Sequence, residues 1–351
     1  MRRIFAMSRN ERNLQGNEPS QDIINIFSQN EELTQRLKKL KKQPWRTFYS
    51  TFISKSHRKA QVIKANILQK RHVAKLWNFF LDQYFAGKLN YFELKSKKQF
   101  NDEKIIWQYW GQGIEDAQKN KTVNLCFSAV DRYKGDYQVI RLDNQTIKEY
   151  LDLPDFVWKN QQNPQFKPAF FADLIRLALL DVYGGIWIDA TILLTAPIEE
   201  EILKQDCFMF QRDERALNKD FWQQFNNDYF GWGDQHIVNI LNSFIVAKKN
   251  SQIIHTCLDI MLNYWQTQKD IPHYFIFQIM MNELLKRKLF KENILLIDDT
   301  LPHLLQVKLN EPFDINEYNK IISVIHIHKL TYVKESVKDS YFEYIKNTVI
   351  N

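Results

Sequence analysis

The chain has 351 residues and a mass of 42.2 kDa, with 44% hydrophobic and 25% charged residues, which is the composition of a folded globular protein and excludes disordered and collagen-like classes. Its net charge of +7 is unevenly placed: residues 33–100 hold 17 Lys and Arg against 2 acidic residues, whereas residues 101–351 hold 27 against 34. This excludes a uniformly basic nucleic-acid binder and predicts a basic helical region over 1–100 attached to an acidic body over 101–351.

Three cysteines, Cys126, Cys207 and Cys257, are too few and too far apart for a disulfide framework or a cysteine-rich metal site, so a reducing, cytoplasmic setting is expected. The opening MRRIFAM has two arginines but an apolar stretch too short for a signal-peptide core. No run approaches the roughly 18 apolar residues that would span a bilayer.

In chain order, residues 1–32 predict a frayed start leading into a helix. From Leu33 to Phe100 the pattern is helical, with Leu33, Leu37 and Leu40 in one stripe and Val73, Leu76, Trp77, Phe80, Leu81 and Tyr84 in another, and Pro44 separating two helices. The apolar stripe is expected to pack on the body. The cationic face is suited to anionic lipid head groups, and the two readings are compatible.

After residue 101 strands and helices alternate. Strands are predicted at Ile105–Trp110, Tyr137–Leu142, Ile186–Asp189, Phe208–Phe210, Phe244–Ala247 and Ser323–Ile327. Helices are predicted over Val123–Tyr133, Pro168–Tyr183, 251–268 and 274–288. The alternation indicates a mostly parallel sheet covered by helices, with ligands at the carboxyl ends of the strands.

The segment FKPAFFADLIRLALLDVYGGIWIDAT, residues 166–191, carries the most chemistry. Its helix is apolar on nearly all sides and so predicted to be buried, yet it carries Asp173 and Arg176 three residues apart on one charged patch. Unpaired charges there would be costly, so an inward-facing pair that meets a polar ligand is favoured over a surface ion pair. Gly184 and Gly185 let the chain reverse into a short strand on which Trp187 and Asp189 share one side, joined by Thr191 if the extension continues. A strand-end aspartate followed by a second oxygen donor suits a hard cation such as Mg2+ or Mn2+, although an aspartate also ends many strands by opening a turn.

The run Ala172-Asp173-Leu174-Ile175-Arg176 through Tyr183-Gly184-Gly185-Ile186-Trp187-Ile188-Asp189-Ala190-Thr191 closely resembles the signature of bacterial capsular polysaccharide synthesis proteins, DXD-type glycosyltransferases of the GT-A fold. The resemblance extends to Lys104–Trp110, to Asn242–Ala247 and to His328-Lys329-Leu330-Thr331-Tyr332. It implies an α/β, GT-A, Rossmann-like nucleotide-sugar-binding fold with a helical N-terminal extension. Trp107 is implied to stack on the nucleotide base, with Gln108 beside it in the donor site; Asp173 to hold donor hydroxyls; Arg176 to contact sugar or diphosphate; Trp187 to line the donor site; and Asp189 to bind Mn2+ or Mg2+, while Asn242 is a donor-binding candidate that could instead cap a turn.

The sequence departs from the DXD form because Thr191 stands at the second acidic position. The diphosphate or a late histidine must then complete the coordination, and of His326 and His328 the latter is favoured because it adjoins Lys329-Leu330. An aromatic loop, Phe221–His236, is either an acceptor or lid segment or a packing loop, and its Asp234 or Gln235 is a candidate to support positive charge at the anomeric carbon.

The resulting expectation is a metal-dependent, retaining glycosyltransferase. It would move a sugar from a nucleotide-diphosphate donor, such as a UDP-sugar, to an oligosaccharide or lipid-linked surface polysaccharide, in the cytoplasm or peripherally on an anionic membrane. The rivals are a toxin-like or effector protein glycosyltransferase, and a non-enzymatic scaffold or nucleic-acid binder acting through the basic arm.

Overall fold

A computed structural model of the chain describes residues 22–287 and 295–350. Three helices open it: α1 (Glu32–Leu40), α2 (Trp45–Phe52) and α3 (Lys55–Phe85). Pro44 is the N-cap residue of α2, and the Ser54 side chain accepts a hydrogen bond from the His57 amide to start α3. The predicted stripe of α3 is buried at Val73, Trp77, Phe80, Leu81 and Tyr84 and belongs to the same apolar core as the strands that follow. The expected frayed start lies mostly outside the described residues.

Five strands form the central sheet: β1 (Ile105–Tyr109), β2 (Gln138–Leu142), β3 (Gly185–Ile188), β5 (Cys207–Gln211) and β6 (Ile240–Ala247), in the order β2-β1-β3-β6-β5. β1 runs parallel to β2 and β3, whereas β6 is antiparallel to both β3 and β5. The expected α/β architecture with a parallel-rich sheet is present, with β6 as the one reversed strand of these five. Every residue of β1 is buried, as befits a parallel strand whose two faces are both covered. A small second sheet pairs β4 (Ile192–Leu194) with β7 (Ile327–Lys329) in antiparallel register.

The connections are helical: α4 (Ile114–Lys119), α5 (Lys121–Tyr133), α6 (Asp155–Gln161), α7 (Pro168–Tyr183), α8 (Glu200–Leu203), α9 (Lys219–Phe225), α10 (Gln252–Thr267), α11 (Ile276–Lys286), α12 (Ile315–Val324) and α13 (Tyr341–Ile350). Helix α7 starts with Pro168 in its first turn, where a missing amide costs nothing, and is buried continuously from Leu174 to Tyr183. It ends at Gly184, with φ 71°, and Gly185 follows with φ 99°. A Cβ on Gly185 would collide with the Ile105 carbonyl, so the double glycine both turns the chain and lets β3 lie against β1.

One predicted strand is wrong. Of the residues predicted as a strand at Ser323–Ile327, Ser323 and Val324 end α12, whose N-cap Asp314 accepts from the amides of Asn316 and Glu317, and the strand begins at Ile327 instead.

Candidate active site

A cleft of about 610 Å3 opens beyond the carboxyl ends of β1 and β3, where open α/β sheets bind ligands, and its volume suits a small-molecule ligand. Tyr109, Trp110 and Gly111 come from the end of β1, Asp173 and Arg176 from α7, and Trp187, Asp189 and Thr191 from β3 and its turn. β6 adds Asn242, and the β7 end adds Lys329 to Tyr332.

The centre is a charged network. Arg176, 5% exposed, places Nη1 3.3 Å from Asp173 Oδ1 and Nη2 3.4 Å from Asp189 Oδ1. Nη1 also donates to the Asn242 carbonyl at 2.6 Å, Nε donates to the Ala172 carbonyl, and the guanidinium stacks 5.1 Å above the Trp187 ring. Asp173 Oδ1 accepts from Asn242 Nδ2 at 2.8 Å, and Gln278 Nε2 in turn fixes the Asn242 amide at 3.0 Å. Burial pushes the Asp173 carboxyl up to about 6; Arg176 opposes the rise, while the nearby Asp189 charge adds to it. The buried ion pair expected of this helix is present, and it faces the cleft.

Period-two alternation puts Trp187 and Asp189 together, and Trp187 Nε1 donates to Asp189 Oδ1 at 2.7 Å. The strand then ends in a turn, with the Ile192 amide bonded to the Asp189 carbonyl at 2.9 Å. Thr191 still reaches the cleft. Lys329 Nζ donates to its Oγ1 at 2.6 Å and lies 3.6 Å from Asp189 Oδ2.

Four expected positions differ. Trp107 does not reach the cleft: it is fully buried, its Nε1 donates to the Gly184 carbonyl at 2.9 Å, and Phe100, Tyr150 and Tyr183 pack around it. Gln108, also fully buried, accepts from Arg141 Nε at 3.0 Å instead of facing the cleft. The β1 residues that line the cleft lie beyond both, at Tyr109 and Trp110. Asp234 is exposed in the Phe221–His236 loop and does not line the cleft, which that loop reaches through Phe225, Asn226, Tyr229 and Phe230.

His328 is the fourth. It is fully buried, Nε2 lies 3.3 Å from Thr195 Oγ1, and burial holds its imidazole neutral, down to about 3. His326 Nδ1 approaches the same hydroxyl at 3.3 Å. Adjacent strand residues point oppositely, so placing His328 away from the cleft brings Lys329 into it.

The oxygen atoms of the Asp189 and Thr191 pair fit an ammonium better than a divalent cation. Asp189 Oδ1 is taken by Trp187 and Arg176, Oδ2 faces Lys329, and Lys329 donates to Thr191. Among the described residues no three His, Cys, Asp or Glu side chains cluster as metal ligands. Mg2+ and Mn2+ favour several oxygen donors, and Lys329 stands where such an ion would approach.

Profile comparison matches residues 56–345 to the capsular polysaccharide synthesis protein family. The chain belongs to this family. Curated relatives include the O-glycosyltransferase braB of Annulohypoxylon truncatum, 24% identical over 190 residues covering 52% of this chain and 42% of that protein. The glycosyltransferase afumC of Aspergillus fumigatus (strain CBS 144.89 / FGSC A1163 / CEA10) is 29% identical over 103 residues, covering 27% and 26%. The chain thus matches less than half the length of these relatives.

Similar solved structures include the PaToxG glycosyltransferase, with a TM-score of 0.32, 14% identity and coverage of 63% of this chain and 78% of that one. Another is a glycosyltransferase involved in the glycosylation of the major capsid of PBCV-1, with a TM-score of 0.34, 10% identity and coverage of 70% and 98%. Within this capsular polysaccharide synthesis chain, the match takes in α3 as well as the sheet, in keeping with their shared core.

Several cleft residues were not singled out from the sequence. Gln278 and Tyr274 reach the cleft from α11 and the residues before it, and His303 from a short turn of helix. The loop bearing Tyr229 and Phe230 is anchored by a buried Arg212–Asp299 pair, at 2.6 and 2.9 Å, with Arg212 also donating to the Tyr229 and Gly231 carbonyls. The Lys70–Asp228 ion pair, at 2.8 Å, ties α3 to the same loop. Lys329 did carry a sequence signal, as the neighbour of His328 in the late motif, and Tyr229 and Phe230 carried one as members of the aromatic loop.

Proposed function

We propose that this chain is a glycosyltransferase that moves a sugar from a nucleoside-diphosphate donor, such as a UDP-sugar, to a hydroxyl of a growing, lipid-linked surface polysaccharide. The observation that carries the reading is the Asp173–Arg176–Trp187–Asp189 network at the strand ends of a capsular-family chain. Asp173 and Asn242 offer acceptor and donor groups to sugar hydroxyls. The Arg176 guanidinium matches phosphate oxygens as charge collects on the leaving diphosphate. Tyr229, Phe230 and Tyr274 supply aromatic faces for sugar rings. The family resemblance supports retention of anomeric configuration.

Calorimetry with a panel of nucleotide sugars tests this, and binding of at least one is expected. Turnover of that donor should fall about a hundredfold in Asp189→Ala, which frees Trp187, Arg176 and Lys329 from their common anchor. Absence of binding across the panel would refute the reading.

The N-terminal region suits a peripheral position on an anionic bilayer, where a lipid-linked acceptor is found. Helix α2 buries none of its residues, and Trp45, Phe48 and Phe52 are 60%, 65% and 67% exposed. Exposed Lys41, Lys42, Arg46, Lys55 and Lys59 lie close to them in sequence. Exposed aromatics in a segment rich in exposed cations match a headgroup interface, where each Lys or Arg contributes about 1 kcal/mol. No helix among the described residues is long and apolar enough to cross a membrane, so contact of this kind would be at the surface. Cosedimentation should be stronger with phosphatidylserine-containing vesicles than with pure phosphatidylcholine. It should weaken at least about tenfold when Trp45, Phe48 and Phe52 are all alanine. Equal binding by that variant would remove the membrane role.

A further inference from the structure

We propose that Lys329 supplies, as an ammonium held by Asp189 and Thr191, the positive charge for the leaving diphosphate, so that the reaction needs no divalent cation. This rests on the glycosyltransferase reading above. β7 pairs with β4 in a register that sets Lys329 opposite Ile192, and the Leu330 amide bonds to the Thr191 carbonyl at 2.8 Å, locking the strand end to the turn that carries Asp189. The ammonium is thereby fixed 2.6 Å from Thr191 Oγ1 and 3.6 Å from Asp189 Oδ2, while its side chain stays 24% exposed on the cleft.

Thr191 in place of a second carboxylate follows the same logic. A carboxylate there would strengthen a divalent site, whereas a hydroxyl accepts one hydrogen bond from an ammonium and leaves its remaining protons for phosphate oxygens. Arg176 and Lys329 balance Asp173 and Asp189, so the four side chains are together neutral without an added ion. The bond between the anomeric carbon and the β-phosphate oxygen breaks with its electron pair passing to that oxygen, which Lys329 and Arg176 face. The acceptor hydroxyl oxygen bonds to the anomeric carbon, and its proton leaves to the released diphosphate.

The experiment uses the full chain freed of metal with EDTA, with UDP and GDP as calorimetric probes and donor turnover as the second readout. Binding of one nucleotide and turnover are expected to stay within about twofold whether EDTA or Mn2+ is present. Lys329→Met should weaken nucleotide binding at least about tenfold and turnover about a hundredfold, without rescue by Mn2+, and Lys329→Arg should recover part of both. Activity lost in EDTA and restored by Mn2+ in the unaltered protein would overturn the proposal, as would near-normal binding and turnover in Lys329→Met. Absence of nucleotide binding under every condition would instead defeat the glycosyltransferase reading itself.

Discussion

Replacing Arg176 by alanine is expected to reduce sugar transfer by about a thousandfold, the upper range for losing one preorganised charge donor. Arg176 is the hub of the cleft: it lies 3.3 Å from Asp173, 3.4 Å from Asp189 and 2.6 Å from the Asn242 carbonyl. Its removal leaves two carboxylates without the cation between them and takes a donor from a buried carbonyl. Breaking a buried pair typically costs about 3–5 kcal/mol. The loss here should sit at the lower end, because Asp173, already raised to about 6, relieves the strain by taking a proton.

Arg176→Lys separates folding from chemistry. It keeps the charge but loses the planar fork, so denaturation should stay close to that of the unaltered protein while turnover still falls about a hundredfold. Chemical denaturation and initial-rate measurements check the two halves separately. Normal turnover in the lysine variant would show that the charge suffices without the guanidinium fork, and normal turnover in Arg176→Ala would reduce Arg176 to a structural group.

The second large effect is on stability and lies outside the reacting centre. Asp299 is fully buried and pairs through both oxygens with Arg212, while Tyr229 Oη donates to Oδ2 at 2.9 Å. Asp299→Ala strands a buried guanidinium and is expected to cost about 3–5 kcal/mol in chemical denaturation. Exchanging both partners for apolar residues, Arg212→Met with Asp299→Leu, should recover most of that loss. Because Arg212 also holds the Tyr229 and Gly231 carbonyls, both variants should raise KM for the donor or acceptor through the loop that carries Phe230. An unchanged KM in the double variant would show that the loop keeps its place without the pair.

Much of the site was legible because the informative residues are neighbours in sequence. Asp173 and Arg176 stand three apart on one helix, and Trp187 and Asp189 two apart on one strand, so local periodicity alone places each pair on a common face. Trp107 and Gln108 were misplaced because β1 lies inside a sheet covered on both faces, so its alternating side chains are all buried and the ligand edge begins only after it ends. The Phe221–His236 loop is likewise only partly legible: its composition marks aromatics, but Arg212 and Asp299, far apart in sequence, select which of them turn inward.

The sequence by itself determined the basic helical start, the alternation of strands and helices, the double-glycine turn and the charged buried helix, since each depends on spacings within a few residues. The tertiary structure decided what faces the strand-end aspartate. A one-residue choice in β7 separates His328 from Lys329, and it is set by pairing with β4 across more than a hundred residues of chain, a contact that local periodicity does not encode.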